Sequence, residues 1–355
     1  MTESAENRVK RADRLFEKAM AAHRDGRLDE AIAGYVEALE INPESSRAWL
    51  MMGELEKGFE EYEWRWRLAE NPPRRFDKPA WSGAALDGRT ILLHAEQGMG
   101  DSIQFARYAA LVAARGGRVI LECQAPLTAL FESLDGVEQI VARDAALPAF
   151  DVHAPLLSLP RIFETDLDSI PESGAYLGAD AARGKKFASL LDPERLNVGI
   201  VWAGKPSHRN DRNRSAGIEP FIDLLGIPGA AFHSLQVGPR AGDIGATRCA
   251  GLIRDHAPRL RDFADTAALV AALDLVISVD TSVCHLAGAL GKPCWVVIPY
   301  TPDWRWLMQR EDSPWYPSLR LFRQPSFGDW PGVFARLGEA LEQRIAGALE
   351  ERIAE

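Results

Sequence analysis

The chain has 355 residues, 46% of them hydrophobic and 26% charged, which is typical of a globular protein with more than one core. Its formal net charge of -10 argues against a nucleic-acid partner held mainly by phosphate neutralisation. The four cysteines form no CxxC pair, and no apolar signal segment or membrane-spanning run is visible, so we expect reduced thiols and a cytoplasmic protein.

Residues 1–70 carry a helical pattern in which small and aromatic residues recur at offsets that allow two antiparallel helices to pack closely. These positions are Ala19, Ala22, Gly26, Ala31, Tyr35 and Ala38, with Pro43 ending the second helix, and a second copy at Gly53, Gly58 and Tyr62. The pattern resembles a tetratricopeptide repeat. The two copies are offset by only about 27 residues instead of roughly 34, so we expect the first helix of the second copy to be short. An ordinary helical hairpin that caps the next domain is the alternative.

The chain changes character after the proline-containing linker ENPPRRFDKPAWSG, because strand-like runs then alternate with helical stretches. Such alternation predicts parallel sheets covered by helices. We therefore predict an α/β fold of two Rossmann-like domains, 71–180 and 181–327, that face a cleft. An amphipathic helix in 328–355 is expected to pack back on the first of these domains.

The run LVISV is followed by Asp280-Thr281-Ser282 and, one helical turn later, by His285. Residues 275–279 are predicted to be a buried strand, and the next helix carries its apolar residues on one face. Thr281, Ser282 and His285 would then lie at a helix N-terminus, where free N–H groups and the helix dipole favour anions. We interpret the junction as a diphosphate site. The alternative is a simple helix cap by Asp280 or Thr281, with His285 hydrogen-bonded locally.

The stretch VDTSVCHLAGALGKP resembles the D-T-x-x-x-H-L-A-x-A-x-x-x-P signature of the heptosyltransferase-like (glycosyltransferase family 9-like) GT-B glycosyltransferases. The resemblance implies a GT-B fold in which this junction holds the diphosphate of a nucleotide-sugar donor. It also implies that the reaction needs no metal and no other cofactor. Ser282 stands where the lipopolysaccharide heptosyltransferases usually have glycine, so the geometry around the donor phosphate is expected to differ.

A glycine turn, HAEQGMGDS, follows the first strand of the earlier series and opens a helix. A dinucleotide-binding turn would place phosphate at the helix start, but Asp101 occupies that position and a carboxylate repels phosphate. We therefore expect this half to take the acceptor, with Gln97, Gly98 and Gly100 on the acceptor-side turn. By the resemblance, Asp101 is the general base that deprotonates an acceptor hydroxyl. From physical chemistry alone, an N-cap aspartate is an equally good interpretation.

The stretch GIVWAGKPSHRNDRNRS has the G-x-x-x-x-G-K spacing of a P-loop, but Pro206 replaces the hydroxyl residue that binds magnesium, so we reject an NTPase. Its cations still suit an anionic donor, and a solvated basic loop is the alternative. In the family pattern a lysine after this strand touches the donor phosphate, and Lys205 is the candidate. The remaining residues expected on the donor side are Arg209, Arg212, Gln236 and Asp280, and Arg214 belongs to the same basic cluster.

Two further patterns have plain interpretations. The aromatic residues of PYTPDWRWLMQREDSPWYPSLRLFRQ, among them Trp304, Trp306, Trp315 and Tyr316, are expected mainly to pack at a domain interface. Asp166-x-Asp168 resembles the metal-binding motif of a different glycosyltransferase fold. We interpret it as a turn.

The chain as a whole resembles bacterial proteins that join tetratricopeptide repeats to this glycosyltransferase domain, some of which glycosylate flagellin. The shared segments include GFEEYEWRWRL, AEQGMGDSIQFARY, HRNDRNRS and PDWRWL. The resemblance implies transfer of a sugar to Ser or Thr of a protein bound by the repeats, from a CMP-linked nonulosonate or an ADP-linked heptose. The alternative is a catalytically inactive adaptor that binds a protein partner or a nucleotide sugar.

Overall fold

The computed structural model describes residues 5–25, 27–41, 46–67, 73–171, 174–208, 210–248 and 250–354. Gly26, Pro43 and Arg209, named above, lie outside these residues. None of the described helices is both long and apolar enough to cross a lipid bilayer.

The N-terminal part is helical, as predicted. Its helices are α1 (Ala5–Arg24), α2 (Leu28–Ile41), α3 (Ser46–Met52) and α4 (Leu55–Tyr62), and a 3-10 turn (Glu63–Arg67) follows. α1 and α2 approach so closely that a Cβ atom on Gly34 would lie 2.8 Å from the Cβ of Ala19. A Cβ on Gly58 would lie 2.5 Å from a Leu50 methyl, which leaves α3 and α4 equally close. α3 has seven residues, in line with the short helix expected there.

The first α/β unit has a four-stranded parallel sheet of order β3-β2-β1-β4. Its helices pack beside these strands. The elements are β1 (Thr90–His94), α5 (Met99–Ala106), α6 (Ala109–Ala113), β2 (Arg118–Cys123), α7 (Thr128–Phe131), β3 (Val137–Ala142), β4 (Val152–Pro155) and α8 (Leu159–Ile162).

The second α/β unit has a six-stranded parallel sheet of order β10-β9-β8-β5-β6-β7. The strands at its centre are buried on both faces, which explains their nearly continuous apolar sequence. The elements are α9 (Ala181–Ala188), β5 (Leu196–Val201), α10 (Asp211–Arg214), α11 (Glu219–Ile222), β6 (Ala230–Ser234), α12 (Asp243–Ala246), β7 (Ile253–Asp255), α13 (Phe263–Ala272), β8 (Leu275–Val279), α14 (Ser282–Ala289), β9 (Cys294–Ile298) and β10 (Leu319–Arg323).

The last helix, α15 (Trp330–Ala354), corrects one expectation. Its buried apolar residues belong to the core of the second sheet and not to the first unit. Phe334 packs edge-on against Phe221 of α11 with ring centroids 4.7 Å apart, and Arg344 donates to the Asp274 carbonyl at 3.2 Å. An amphipathic pattern shows that a helix has a buried face, but it does not show which neighbour covers that face.

The two α/β units meet along α5 and α14. A Cβ on Gly100 of α5 would lie 3.0 Å from the His285 ring and 3.5 Å from the Ser282 Cα of α14. One continuous apolar cluster joins the helical segment, the first unit and this side of the second sheet. The helix starts expected to carry acceptor and donor chemistry therefore face each other at contact distance.

Candidate active site

Strand order indicates which edge of the second sheet binds a ligand. The chain runs outward from β5 through β6 to β7, and outward in the opposite direction from β8 through β9 to β10. Ligands of open parallel sheets bind at the carboxyl ends of strands where the order reverses, which here is between β5 and β8. The loop that contains Lys205 follows β5, and Asp280-Thr281-Ser282 follows β8. The two donor-side motifs are thus brought to adjacent strand ends.

Thr281 is the N-cap of α14. Its backbone is extended and its hydroxyl accepts from the Val283 N–H at 3.4 Å and lies 3.2 Å from the Ser278 hydroxyl. The capping interpretation is therefore correct for Thr281. Ser282, the first helical residue, is half-exposed at the same helix start. Burial, and then the nearby Asp303, raise the pKa of Asp280 to about 6, while its carbonyl accepts from Arg214 at 3.0 Å.

His285 is buried one turn into α14. Its ring stacks on Trp306 with centroids 5.5 Å apart, and Nδ1 lies 3.1 Å from the Tyr316 hydroxyl. Burial, and then the charge of Arg305, lower the pKa of His285 to about 3, so the imidazole is neutral near pH 7. A neutral imidazole has one N–H. If the Tyr316 hydroxyl donates to Nδ1, that N–H is on Nε2, on the side of the ring that faces Gly100.

Asp101 lies in the first turn of α5. Its Oδ2 accepts from the Gly98 N–H at 2.9 Å, which closes the helix start. Its Oδ1 accepts from Nη2 of Arg305 at 2.5 Å. The N-cap interpretation of Asp101 is wrong, because Gly98 is the N-cap of α5 and Asp101 is the third helical residue, whose carboxylate bonds back to the N-cap N–H. The same carboxylate lies at the junction that faces α14.

Sequence reasoning missed Arg305. The residue lies between β9 and β10 in the second unit, is 8% exposed, and reaches across to α5 of the first unit. The segment PDWRWL carries part of the family resemblance, but its sequence pattern predicts a packing role only for the tryptophans. Those tryptophans do pack at the interface as predicted, since Trp304 and Trp306 are buried beside residues of α4 and α14.

The turn that contains Gln97, Gly98 and Gly100 is hydrogen-bonded both to α4 and to the loop after β2. Gln97 donates to the Tyr62 hydroxyl at 2.8 Å, and its carbonyl accepts from Gln124 at 2.8 Å. Beside it, Arg65 and Glu96 form a buried ion pair with an Nη2 to Oε1 distance of 2.8 Å. The helical segment therefore contacts the turn directly.

The basic loop after β5 is divided between exposed and packed residues. Lys205 and Arg212 are exposed at this edge, whereas Arg214 is mostly buried, pairs with Asp211 at 3.5 Å and reaches the Asp280 carbonyl. Gly204 allows this approach, because a Cβ there would lie 2.4 Å from the Arg214 guanidinium. Gln236 is at the same edge.

The Gln236 side chain has a structural part in this arrangement. Its amide oxygen accepts from the backbone N–H groups of Trp202 at 3.2 Å and Ala203 at 3.0 Å. These contacts fix the start of the loop that carries Lys205. Elsewhere, Asp166 accepts from the Asp168 and Ser169 N–H groups, so Asp166-x-Asp168 is a turn, as interpreted.

Among the described residues, Asp280, Cys284 and His285 form a group that could hold a metal ion, with ligand atoms within 4.8 Å of one another. The Cys284 thiol donates to the Thr281 carbonyl at 2.9 Å, and burial raises its pKa well above the usual value. Metals bind the thiolate, whereas in the arrangement seen this thiol is a hydrogen-bond donor.

Comparison with known proteins agrees with this geometry. Residues 246–318 match the family model of Glycosyltransferase family 9 (heptosyltransferase). The match covers β8 and α14, whose junction carries the motif predicted to bind the donor. Together with the structural neighbours described next, it supports a glycosyltransferase.

Two solved structures share the fold. The ADP-heptose lipopolysaccharide heptosyltransferase II of E. coli has 14% sequence identity and a TM-score of 0.53, covering 72% of this chain and 99% of that chain. A glycosyl transferase family 9 protein from Veillonella parvula has 10% identity and a TM-score of 0.51, covering 69% of this chain and 88% of that chain. The mixed α/β architecture with parallel sheets thus has heptosyltransferase (GT-B) neighbours.

A curated relative covers more of the sequence. Protein FlbA of Caulobacter vibrioides is 30% identical over 328 residues, which are 84% of this chain and 54% of that protein. The chain therefore spans about half the length of this relative.

Proposed function

We propose that the chain moves a sugar from a nucleotide-sugar donor to a hydroxyl group of an acceptor. The observation that carries the proposal is the contact between two helix starts, α14 at the reversal point of the second sheet and α5 of the first unit. The first offers an anion site and the second a carboxylate, which are the two groups that this transfer needs. In this proposal 71–180 is the acceptor domain and 181–327 the donor domain.

The donor's phosphates would lie at the N-terminus of α14. The dipole of this helix, the Thr281 and Ser282 hydroxyls and the neutral His285 would stabilise the charge that develops as the nucleotide leaves. Lys205 and Arg212 add positive charge from the exposed loop after β5. Asp101 would accept the proton of the acceptor hydroxyl.

The proposed reaction does not use a metal. Helix dipole and cations would stabilise the leaving phosphate in place of a divalent ion. The carboxyl, thiol and imidazole of Asp280, Cys284 and His285 have the alternative contacts and pKa shifts described above, which favour structural and hydrogen-bonding roles.

For the acceptor we propose Ser or Thr of a protein such as flagellin, bound by the tetratricopeptide-like helical segment in the cytoplasm. Ile32 and Val36 support this, since they lie one turn apart on α2 and are 52% and 43% exposed. Such apolar exposure on a helical hairpin suits contact with a protein chain.

Turnover of a panel of nucleotide sugars, including ADP-heptose and CMP-, UDP- and GDP-linked sugars, tests the proposal. We expect wild-type protein to hydrolyse or transfer at least one donor, Asp101→Asn to lose at least about 100-fold in rate, and added chelator to have no effect. Full activity of Asp101→Asn would remove the base assignment, and loss on chelation would remove metal independence. An inactive adaptor would turn over none of the donors.

The acceptor arm of the same assay uses the double variant Ile32→Glu with Val36→Glu. We expect slower transfer to protein and unchanged donor hydrolysis, because both side chains are exposed on α2 and neither belongs to the proposed donor site. Transfer to protein at the wild-type rate would exclude this face as the docking site.

A further inference from the structure

Arg305 donates three side-chain hydrogen bonds, two of which cross the junction between the α/β units. Nε donates to Gln104 Oε1 at 2.6 Å, Nη1 to Asp303 Oδ1 at 2.8 Å, and Nη2 to Asp101 Oδ1 at 2.5 Å. Gln104 and Asp101 belong to α5 of the first unit, whereas Arg305 and Asp303 belong to the second. The guanidinium thus joins the acceptor-side helix to the donor-side unit.

The guanidinium is held in a fixed orientation. It lies over the Trp304 ring at 4.4 Å, and Asp303 also accepts from the Arg305 backbone N–H at 3.1 Å. Trp304 is itself packed edge-on against Phe59 of α4, with centroids 5.5 Å apart. A planar, oriented fork of N–H groups suits carboxylate and phosphate oxygens equally well.

The positive charge of Arg305 also acts on the donor-side helix. After burial, it is the largest cause of the lowered pKa of His285, and it acts on Asp280 as well. Gly100 places the start of α5 against His285 and Ser282. The guanidinium therefore lies near both the Asp101 carboxylate and the proposed phosphate site.

These contacts would make the Asp101 carboxylate and a donor phosphate compete for the Arg305 guanidinium. Asp101 has one oxygen bonded to the Gly98 N–H and the other to Arg305, and its charge is compensated by the guanidinium. A donor phosphate at the start of α14 would bring additional negative charge within reach of the same cation.

We propose that Arg305 is a ligand of the donor phosphate whose place is taken by Asp101 until the donor binds. Donor binding then draws the guanidinium away from Oδ1 and leaves that oxygen free to accept the proton of the acceptor hydroxyl. This inference rests on the proposed function, and it predicts that the donor binds before the acceptor reacts.

A double-mutant cycle on nucleotide binding tests the competition without requiring turnover. ADP, GDP, UDP and CMP are titrated calorimetrically into wild type, Asp101→Asn, Arg305→Gln and the double variant, and the nucleotide that wild type binds most tightly is used for the cycle. We expect Arg305→Gln to weaken binding at least about tenfold, because a charged hydrogen bond is lost. We expect Asp101→Asn to tighten it several-fold, because the competing carboxylate is gone. With Arg305→Gln present, Asp101→Asn should change affinity less than about twofold.

The cycle distinguishes competition for Arg305 from simple repulsion of the phosphate by Asp101. If Asp101→Asn tightens binding equally in both backgrounds, the carboxylate merely repels phosphate and the competition is refuted. Unchanged affinity in Arg305→Gln also refutes it, while donor binding and the proposed function stand. If wild type binds no nucleotide of the panel, the donor site and this inference both fail.

Folding is checked by circular dichroism and thermal unfolding of each variant. Should Arg305→Gln not fold, Arg305→Lys replaces it in the cycle, since lysine keeps the charge but not the fork. In the Arg305→Lys background, competition predicts weaker nucleotide binding than in wild type. It also predicts that adding Asp101→Asn increases the affinity less than it does in wild type. Equal gains in the two backgrounds would overturn it.

Discussion

Gly100 sets the distance between the two α/β units at the candidate site. A Cβ there would lie 3.0 Å from Cδ2 of His285, which is closer than side-chain carbons ordinarily pack, and 3.5 Å from the Ser282 Cα. His285 has little room to withdraw, because it is buried between Trp306 and Tyr316. A single hydrogen atom in place of a side chain thus lets the two helix starts meet.

We predict that Gly100→Ala lowers the free energy of unfolding by about 1 kcal/mol, because overpacking outweighs the gain in helix propensity. Gly184→Ala in α9 is the matched control, since no heavy atom lies within 4 Å of its Cβ position, and it should raise stability by about 0.5–1 kcal/mol. Urea unfolding measures both variants. If Gly100→Ala stabilised the protein as much as Gly184→Ala does, the contact between the helix starts would not exist as described.

At the scale of elements, α4 packs against both α/β units. Phe59 is buried and packs edge-on against Phe105 of α5 and against Trp304 and Trp315 of the second unit. The turn that follows contributes Arg65 to its buried pair with Glu96. The end of the helical segment is therefore part of the structure around the acceptor-side turn.

We predict that Phe59→Ala lowers the free energy of unfolding by about 3–5 kcal/mol, because it opens a cavity where three elements meet. Ile32→Ala, on the exposed face of the same segment, should change it by less than about 0.5 kcal/mol. Chemical denaturation followed by tryptophan fluorescence distinguishes the two. Equal and small changes in the free energy of unfolding of the two variants would mean that the helical segment packs only weakly against the α/β units.

Periodicity explains which of these elements could be anticipated. The close packing around Ala19 and Gly58, the strand LVISV and the helix start at Thr281 all follow from local patterns, because side-chain spacing encodes a buried face. The packing of α15 on the second sheet and the position of Phe59 between the two α/β units do not follow from such patterns, because the sequence of a buried face does not specify which element covers it. Arg305 was missed for the same reason, since its partner Asp101 is 204 residues away.

At the scale of the whole molecule, we compare two places among the described residues that could attract an anionic donor. One is the crevice at the β5 and β8 strand ends, with the α14 helix start and an exposed basic loop. The other is a cavity of about 400 Å³ lined by four basic residues, Arg183, Lys186, Arg259 and Arg261, with Asp265 among them. Arg183 pairs with Asp262 and Asp265, and Arg261 also pairs with Asp265, so two of these four cations already have carboxylate partners. Electrostatics therefore favours the strand ends.

Hydrogen–deuterium exchange with and without a saturating nucleotide from the panel tests whether the nucleotide binds at the β5 and β8 strand ends. We predict slower exchange in peptides covering 202–215 and 280–290, because bound phosphate would cover and stabilise the backbone at the α14 start. Peptides covering 181–190 and 256–262 should be unchanged. Protection confined to those two peptides, with none at 202–215 or 280–290, would place the nucleotide in the basic cavity and contradict the account.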